Sequence, residues 1–174
     1  GALQTRAVLA ITNLPELKHA PLCRYNRWVR PVFARVCNAE LDVAAVMREP
    51  VSWLGSWYRF RQRPFLDGKA TSTRGLSFDD FVRDYCKGQQ PEHANVGSQA
   101  KFLEAQKNGC RVTHLFRYED QPRLQQFLQD RLGVELTLQQ RNVSPAMDLT
   151  LSPEINALYR RKKPDEFALY DSII

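Results

Sequence analysis

Apolar residues fall into two kinds of pattern along the chain. Ala7–Ile11, Leu41–Met47 and Val112–Phe116 are short runs with few polar interruptions, and such runs predict strands buried on both faces, as in parallel sheets covered by helices. Elsewhere the spacing is helical. Ser77 with Asp80 three residues on resembles a capping box, and Phe78, Phe81, Val82 and Tyr85 follow at i, i+3, i+4 and i+7, which places four apolar side chains on one face. Pro122 suits a first helical turn and precedes Leu124, Phe127, Leu128 and Leu132. Ser152-Pro153 repeats the start signal before Ile155, Leu158 and Tyr159. Strand, helix, strand and helix in succession predict an α/β layered fold with a mainly parallel sheet flanked by helices.

Composition narrows the class. At 174 residues, with 43% hydrophobic and 25% charged, the chain is expected to be one packed domain, 1–174, and not a disordered or low-complexity segment. No fixed-period repeat and no long Pro/Gly linker divides it. No apolar run approaches the ~18–20 residues of a membrane span, and no basic segment leads into a signal-like apolar run; a soluble, cytoplasmic protein without a membrane partner is expected. The four cysteines, Cys23, Cys37, Cys86 and Cys110, are widely separated, so reduced thiols are expected. No Cys/His/carboxylate cluster has metal-ligand spacing and no G-x-S-x-G occurs, which leaves metallohydrolase and serine-hydrolase chemistry without support. Lys+Arg 25 against Asp+Glu 19 gives a net charge of +6, favouring an anionic ligand. The basic residues lie in short groups, as suits a pocket better than a tail.

The segment Val43–Arg63, VAAVMREPVSWLGSWYRFRQR, carries the most chemistry. A strand runs directly into a helix there, with Arg48 at the junction, and in open α/β sheets ligands sit beyond the carboxyl ends of the strands. Pro50 suits the first helical turn, so backbone N–H groups and the helix dipole would stand beside the guanidinium and favour a phosphate. Ser56 lies roughly two turns further along, where it and a folded-back Arg48 could hold one anion from two sides. The residue pattern equally allows Arg48 to be a salt-bridging residue, Ser56 a small residue at a helix crossing, and Trp53, Trp57 and Tyr58 core or boundary aromatics.

The string R-E-P-x-S-W-L-x-S-W-Y resembles the 3′-phosphate-binding segment of sulfotransferases that use 3′-phosphoadenosine 5′-phosphosulfate, with Arg48 and Ser56 at the two binding positions. LFRYEDQ, Leu115–Gln121, is similar to the family's strand ending in Y-E-D, whose tyrosine, here Tyr118, lies near the adenine. R-N-V-S-P at Arg141–Pro145, L-S-P-E and D-E-F-A-L-Y resemble the C-terminal part of carbohydrate-type and bacterial members. The resemblance implies a P-loop-NTPase-like fold. It also implies transfer of a sulfuryl group to a hydroxyl of a carbohydrate or other polar acceptor, with no nucleic-acid partner. The alternative is a non-catalytic domain of the same fold that binds a nucleotide or an anionic polymer.

The family's glycine-rich loop for the 5′-phosphosulfate has no counterpart in the sequence, which holds no G-x-x-x-x-G-K-[ST]. The chain is therefore expected to begin after that loop and to be inactive as 174 residues alone, because such transfers depend on cations at the transferred group. The same absence, with no magnesium carboxylates, argues against a P-loop kinase. An acceptor hydroxyl needs a base, and His19 in L-K-H-A-P resembles the family's K-H turn; a plain surface turn is the equal alternative. His93 falls in a loop, and His114 in the third strand reads as a satisfied core histidine. Gly97-Ser98-Gln99 resembles an acceptor-side turn but reads better as a helix cap. Arg161 and Lys162 match the family's late basic position without its glycine, and read as a solvated helix end.

Overall fold

A computed structural model describes residues 19–137 and 149–174. The predicted strand Ala7–Ile11 and the R-N-V-S-P string lie outside the described residues. Helix α1 starts at Leu22–Arg24, passes through a π-helical turn at Tyr25–Val29 and continues as Arg30–Cys37, ending on Asn38 in the left-handed region at φ 47°. Strand β1 (Ala44–Met47) leads into α2 (Pro50–Arg61), followed by α3 (Phe78–Tyr85) and a single turn, α4 (Gln99–Phe102). Strand β2 (His114–Arg117) precedes α5 (Gln121–Leu132), α6 (Pro153–Lys162) and α7 (Pro164–Asp171).

Strands β1 and β2 are neighbours in a two-stranded sheet among the described residues. The Thr113 amide donates to the Val43 carbonyl at 2.9 Å and the Tyr118 amide to the Met47 carbonyl at 2.8 Å, so both strands advance in step and the pairing is parallel. The α/β class is therefore correct in outline. The expectation of strands covered on both faces needs correction for β1: Met47 is fully buried, but Ala44 is exposed and Val46 is 41% exposed. An apolar run reports what a strand can bury, whereas the neighbours available decide what is covered.

The chain divides into two compact units, one within residues 1–45 together with Ser98–Leu115, the other Val46–Gly97 with Phe116–Ile174. The larger unit holds the main core. Its heart is the predicted face of α3, where Phe78, Phe81, Val82 and Tyr85 are all buried, packed with Leu54 and Tyr58 of α2, Ile155 and Tyr159 of α6 and Phe167 of α7. Local signals start these helices as expected. The Ser77 hydroxyl accepts from the Asp80 amide at 3.1 Å, and that of Ser152 accepts from the Ile155 amide at 3.4 Å; each satisfies a donor that the first turn leaves open. In α5 the stripe is incomplete. Leu124, Phe127 and Leu128 are half-buried, and Leu132 is 61% exposed.

The buried guanidinium of Arg61 donates to the Glu92 carbonyl and to the Asn95 carbonyl at 3.1 Å, holding the loop after α3 against α2. His93 in the same loop pairs with Asp84 at 2.7 Å, and Lys87 bonds the same carboxylate at 2.5 Å. Burial would raise Asp84, but the hydrogen bonds from Lys87 and His93 outweigh it and hold the carboxyl below its usual range. A depressed folded value means stability that is present above the ordinary carboxylate value of about 3.9 and lost as pH falls through the folded one. Thermal melts at pH 7 and pH 3 should therefore show a smaller acid loss for Asp84→Asn than for the wild type; equal losses would assign the acid sensitivity to other carboxylates.

All four cysteines are free thiols, and burial pushes Cys86 and Cys110 up. No described helix is long and apolar enough to cross a membrane.

Candidate functional site

The larger unit brings Arg48 and Tyr118 together where its two parallel strands end. Arg48 follows β1 and Tyr118 follows β2, and the register set by the Tyr118 amide on Met47 puts them side by side. The Arg48 guanidinium lies over the Tyr118 ring, 4.8 Å from its centre, within the range of a cation–π contact. Arg48 Nε also donates to Ser52 Oγ at 2.8 Å. The guanidinium is thereby fixed in direction, while the Tyr118 ring stays 48% exposed.

Arg48 thus touches Ser52, one turn before Ser56. Residues 52, 56 and 59 share a face of α2 at i, i+4 and i+7 spacing, so Ser52, Ser56 and Arg59 form a polar stripe leading away from Arg48. Ser56 is half-buried. Arg59 lies back over Gly55, its Nη1 3.7 Å from the place a Cβ would occupy on that glycine. Burial first, and then the positive charge of Arg48, lower its guanidinium value. The positive charges of Arg48 and Arg59 thus fall on a helix flank that also carries two serine hydroxyls. Ser52 and Arg59 escaped the sequence reading, although their helical spacing from Ser56 was a usable signal.

The start of α2 differs from expectation. Glu49 caps the helix through its own carboxylate, which accepts from the Ser52 amide at 2.7 Å, and the Trp53 amide is taken by the Glu49 carbonyl at 2.8 Å. The Glu49 amide in turn donates to Glu119 at 3.0 Å. A phosphate at the helix start would therefore meet a carboxylate, and the cationic and hydroxyl groups of this corner are side chains on the helix flank. Glu119 ties this corner to the C-terminal string: the Tyr170 hydroxyl donates to its second oxygen at 3.1 Å, and Arg117 stacks on the Tyr170 ring at 4.9 Å. Burial, and then that hydrogen bond to Glu119, raise the Tyr170 phenol.

The aromatics of α2 take the structural role. Tyr58 is buried and donates to the Leu76 carbonyl at 2.6 Å, while Trp53 and Trp57 are half-buried against the core. Arg161 and Lys162 are exposed at the end of α6. Ser98 caps α4, its hydroxyl accepting from the Lys101 amide at 3.1 Å. His114 is half-buried and lies 3.7 Å from Asp42.

His19 belongs to the smaller unit. It is exposed, in a turn, with φ at 61°, a left-handed conformation that histidine adopts more readily than most non-glycine residues. No protein-family model, no curated protein and no solved structure matches this chain.

Proposed function

We propose that the chain is a sulfotransferase-like protein of P-loop-NTPase-like fold that binds 3′-phosphoadenosine 5′-phosphosulfate at the Arg48–Tyr118 corner. The reading is supported above all by one observation: Arg48 and Tyr118, assigned to the same nucleotide from separate parts of the sequence, lie 4.8 Å apart. Arg48 and Ser56 would hold the 3′-phosphate, with Ser52 orienting the guanidinium and Arg59 adding charge. Tyr118 would offer its ring to the adenine. The bound donor supplies the sulfuryl group, and the acceptor is a hydroxyl of a carbohydrate or another polar molecule. His19 would take the proton released from that hydroxyl.

Titration of 3′,5′-adenosine diphosphate tests the nucleotide site. A hydrogen bond to a charged group is worth about 1.5–3 kcal/mol, so Arg48→Ala should weaken binding roughly 10- to 100-fold. Tyr118→Ala should weaken the same titration, and in a protein that also carries the 5′-phosphosulfate loop it should affect donor affinity more than the rate at saturating donor. Unchanged affinity in Arg48→Ala would overturn the assignment.

A further inference from the structure

The net charge of the chain is unevenly shared. In the smaller unit the described residues hold seven Lys/Arg against three Asp/Glu, a net of +4; in the larger unit they hold fifteen against fourteen, a net of +1. Of these three described acids, two are engaged by other residues of the same unit. Glu40 accepts two bonds from Arg30, at 2.8 and 3.1 Å, and Asp42 pairs with His114. The excess shows on α1, where Arg24, Arg27 and Arg35 are all exposed. Trp28, between them, is 61% exposed. A tryptophan left in water on a charged helix is uncommon, because its ring loses more than most by staying unburied.

Beside these residues is a cavity of about 330 Å³ lined by Cys23, Arg24, Asn26, Arg27 and Gln106. Its walls are tied down. Asn26 accepts from Arg30 at 3.3 Å and from Asn108 at 3.0 Å, and the Gln106 amide donates to the Cys110 carbonyl at 2.7 Å. The π-helical turn Tyr25–Val29 sits in the middle of this surface; such turns redirect side chains and often accompany binding sites.

We infer that this face of α1 binds an anionic saccharide, with Arg24 and Arg27 holding its sulfate or carboxylate groups at the cavity and Trp28 packing against the apolar C–H face of a sugar ring. Guanidinium forks match planar and tetrahedral oxyanions. A single-stranded nucleic acid would call for successive stacking platforms, and α1 exposes one ring. The choice of a saccharide rests on the sulfotransferase reading, for which this surface names the acceptor class; the charge and the exposed ring stand without it.

Calorimetric titration of a heparin tetrasaccharide into the full chain tests the inference, alongside neutral maltotetraose and an oligothymidylate of matched charge. The tetrasaccharide should bind most tightly, and more weakly as salt rises. Trp28→Ala and Arg27→Ser should each weaken it at least tenfold, whereas Lys69→Ser, which removes an exposed charge from the larger unit, should not. Titration of 3′,5′-adenosine diphosphate should be the same in all variants. No binding of the tetrasaccharide, equal loss in Lys69→Ser, or tighter binding of the oligothymidylate would overturn the inference. Tetrasaccharide binding that follows Trp28 and Arg27 while the nucleotide fails to bind would uphold this surface and remove the nucleotide reading alone.

Discussion

In a protein that also carries the 5′-phosphosulfate loop, replacing His19 by alanine or by asparagine is expected to lower sulfuryl-transfer turnover by roughly 10²–10⁴-fold, the contribution of a positioned general base, while leaving 3′,5′-adenosine diphosphate affinity unchanged. Both variants are needed because of the backbone. At φ 61° alanine introduces local strain, whereas asparagine tolerates the left-handed region, so a loss shared by the two reports the imidazole and not the turn. Turnover against pH gives a second reading. An imidazole base produces an acid limb as it protonates, and the limb should be missing in the variants. If wild type and both variants keep the same limb and similar rates, His19 is a turn residue without a chemical role.

Phe81→Ala should cost about 3–5 kcal/mol of stability, the usual loss for deleting a fully buried ring. Phe81 has no solvent exposure. Its ring packs 5.7 Å from that of Tyr58 and 6.4 Å from that of Phe78, joining α3 to the helix that carries Ser52, Ser56 and Arg59. Such a loss is a large part of the ~5–15 kcal/mol that holds most domains together, so nucleotide binding should also weaken as α2 loses its support. Denaturant titration measures the change. Phe65, which is 57% exposed and meets Phe60 at 6.0 Å, provides the contrast: its truncation should cost less than about 1.5 kcal/mol. Equal costs at the two positions would mean that α3 does not organise the core.

What could be read from the sequence follows the range of the interactions involved. Caps at Ser77 and Ser152 and the buried face of α3 depend on residues a few positions apart, so spacing alone located them. The site is different. Resemblance to a family brought Arg48 and Tyr118 into one hypothesis, and the parallel register of β1 and β2 sets them side by side. The bond from Arg48 to Ser52 was not legible, because a rotamer decides which hydroxyl the guanidinium reaches. At the start of α2 the stronger local signal is Pro50, yet Glu49 is the cap, because an acidic residue just before such a proline is well placed to accept from the first turn. The bond from Tyr170 to Glu119 and the exposure of Val46 depend on elements distant in sequence, and no local pattern encodes them.

The Arg48 corner is best tested by pairing two nucleotides with two proteins. Titrate 3′,5′-adenosine diphosphate and 5′-adenosine monophosphate, which lacks the 3′-phosphate, into wild type and Arg48→Ala. If Arg48 holds the 3′-phosphate, the wild type should prefer the diphosphate by at least tenfold, and most of that preference should disappear in the variant, because the coupling belongs to that one contact. A preference that survives intact in Arg48→Ala, or a wild type indifferent to the 3′-phosphate, would contradict the account.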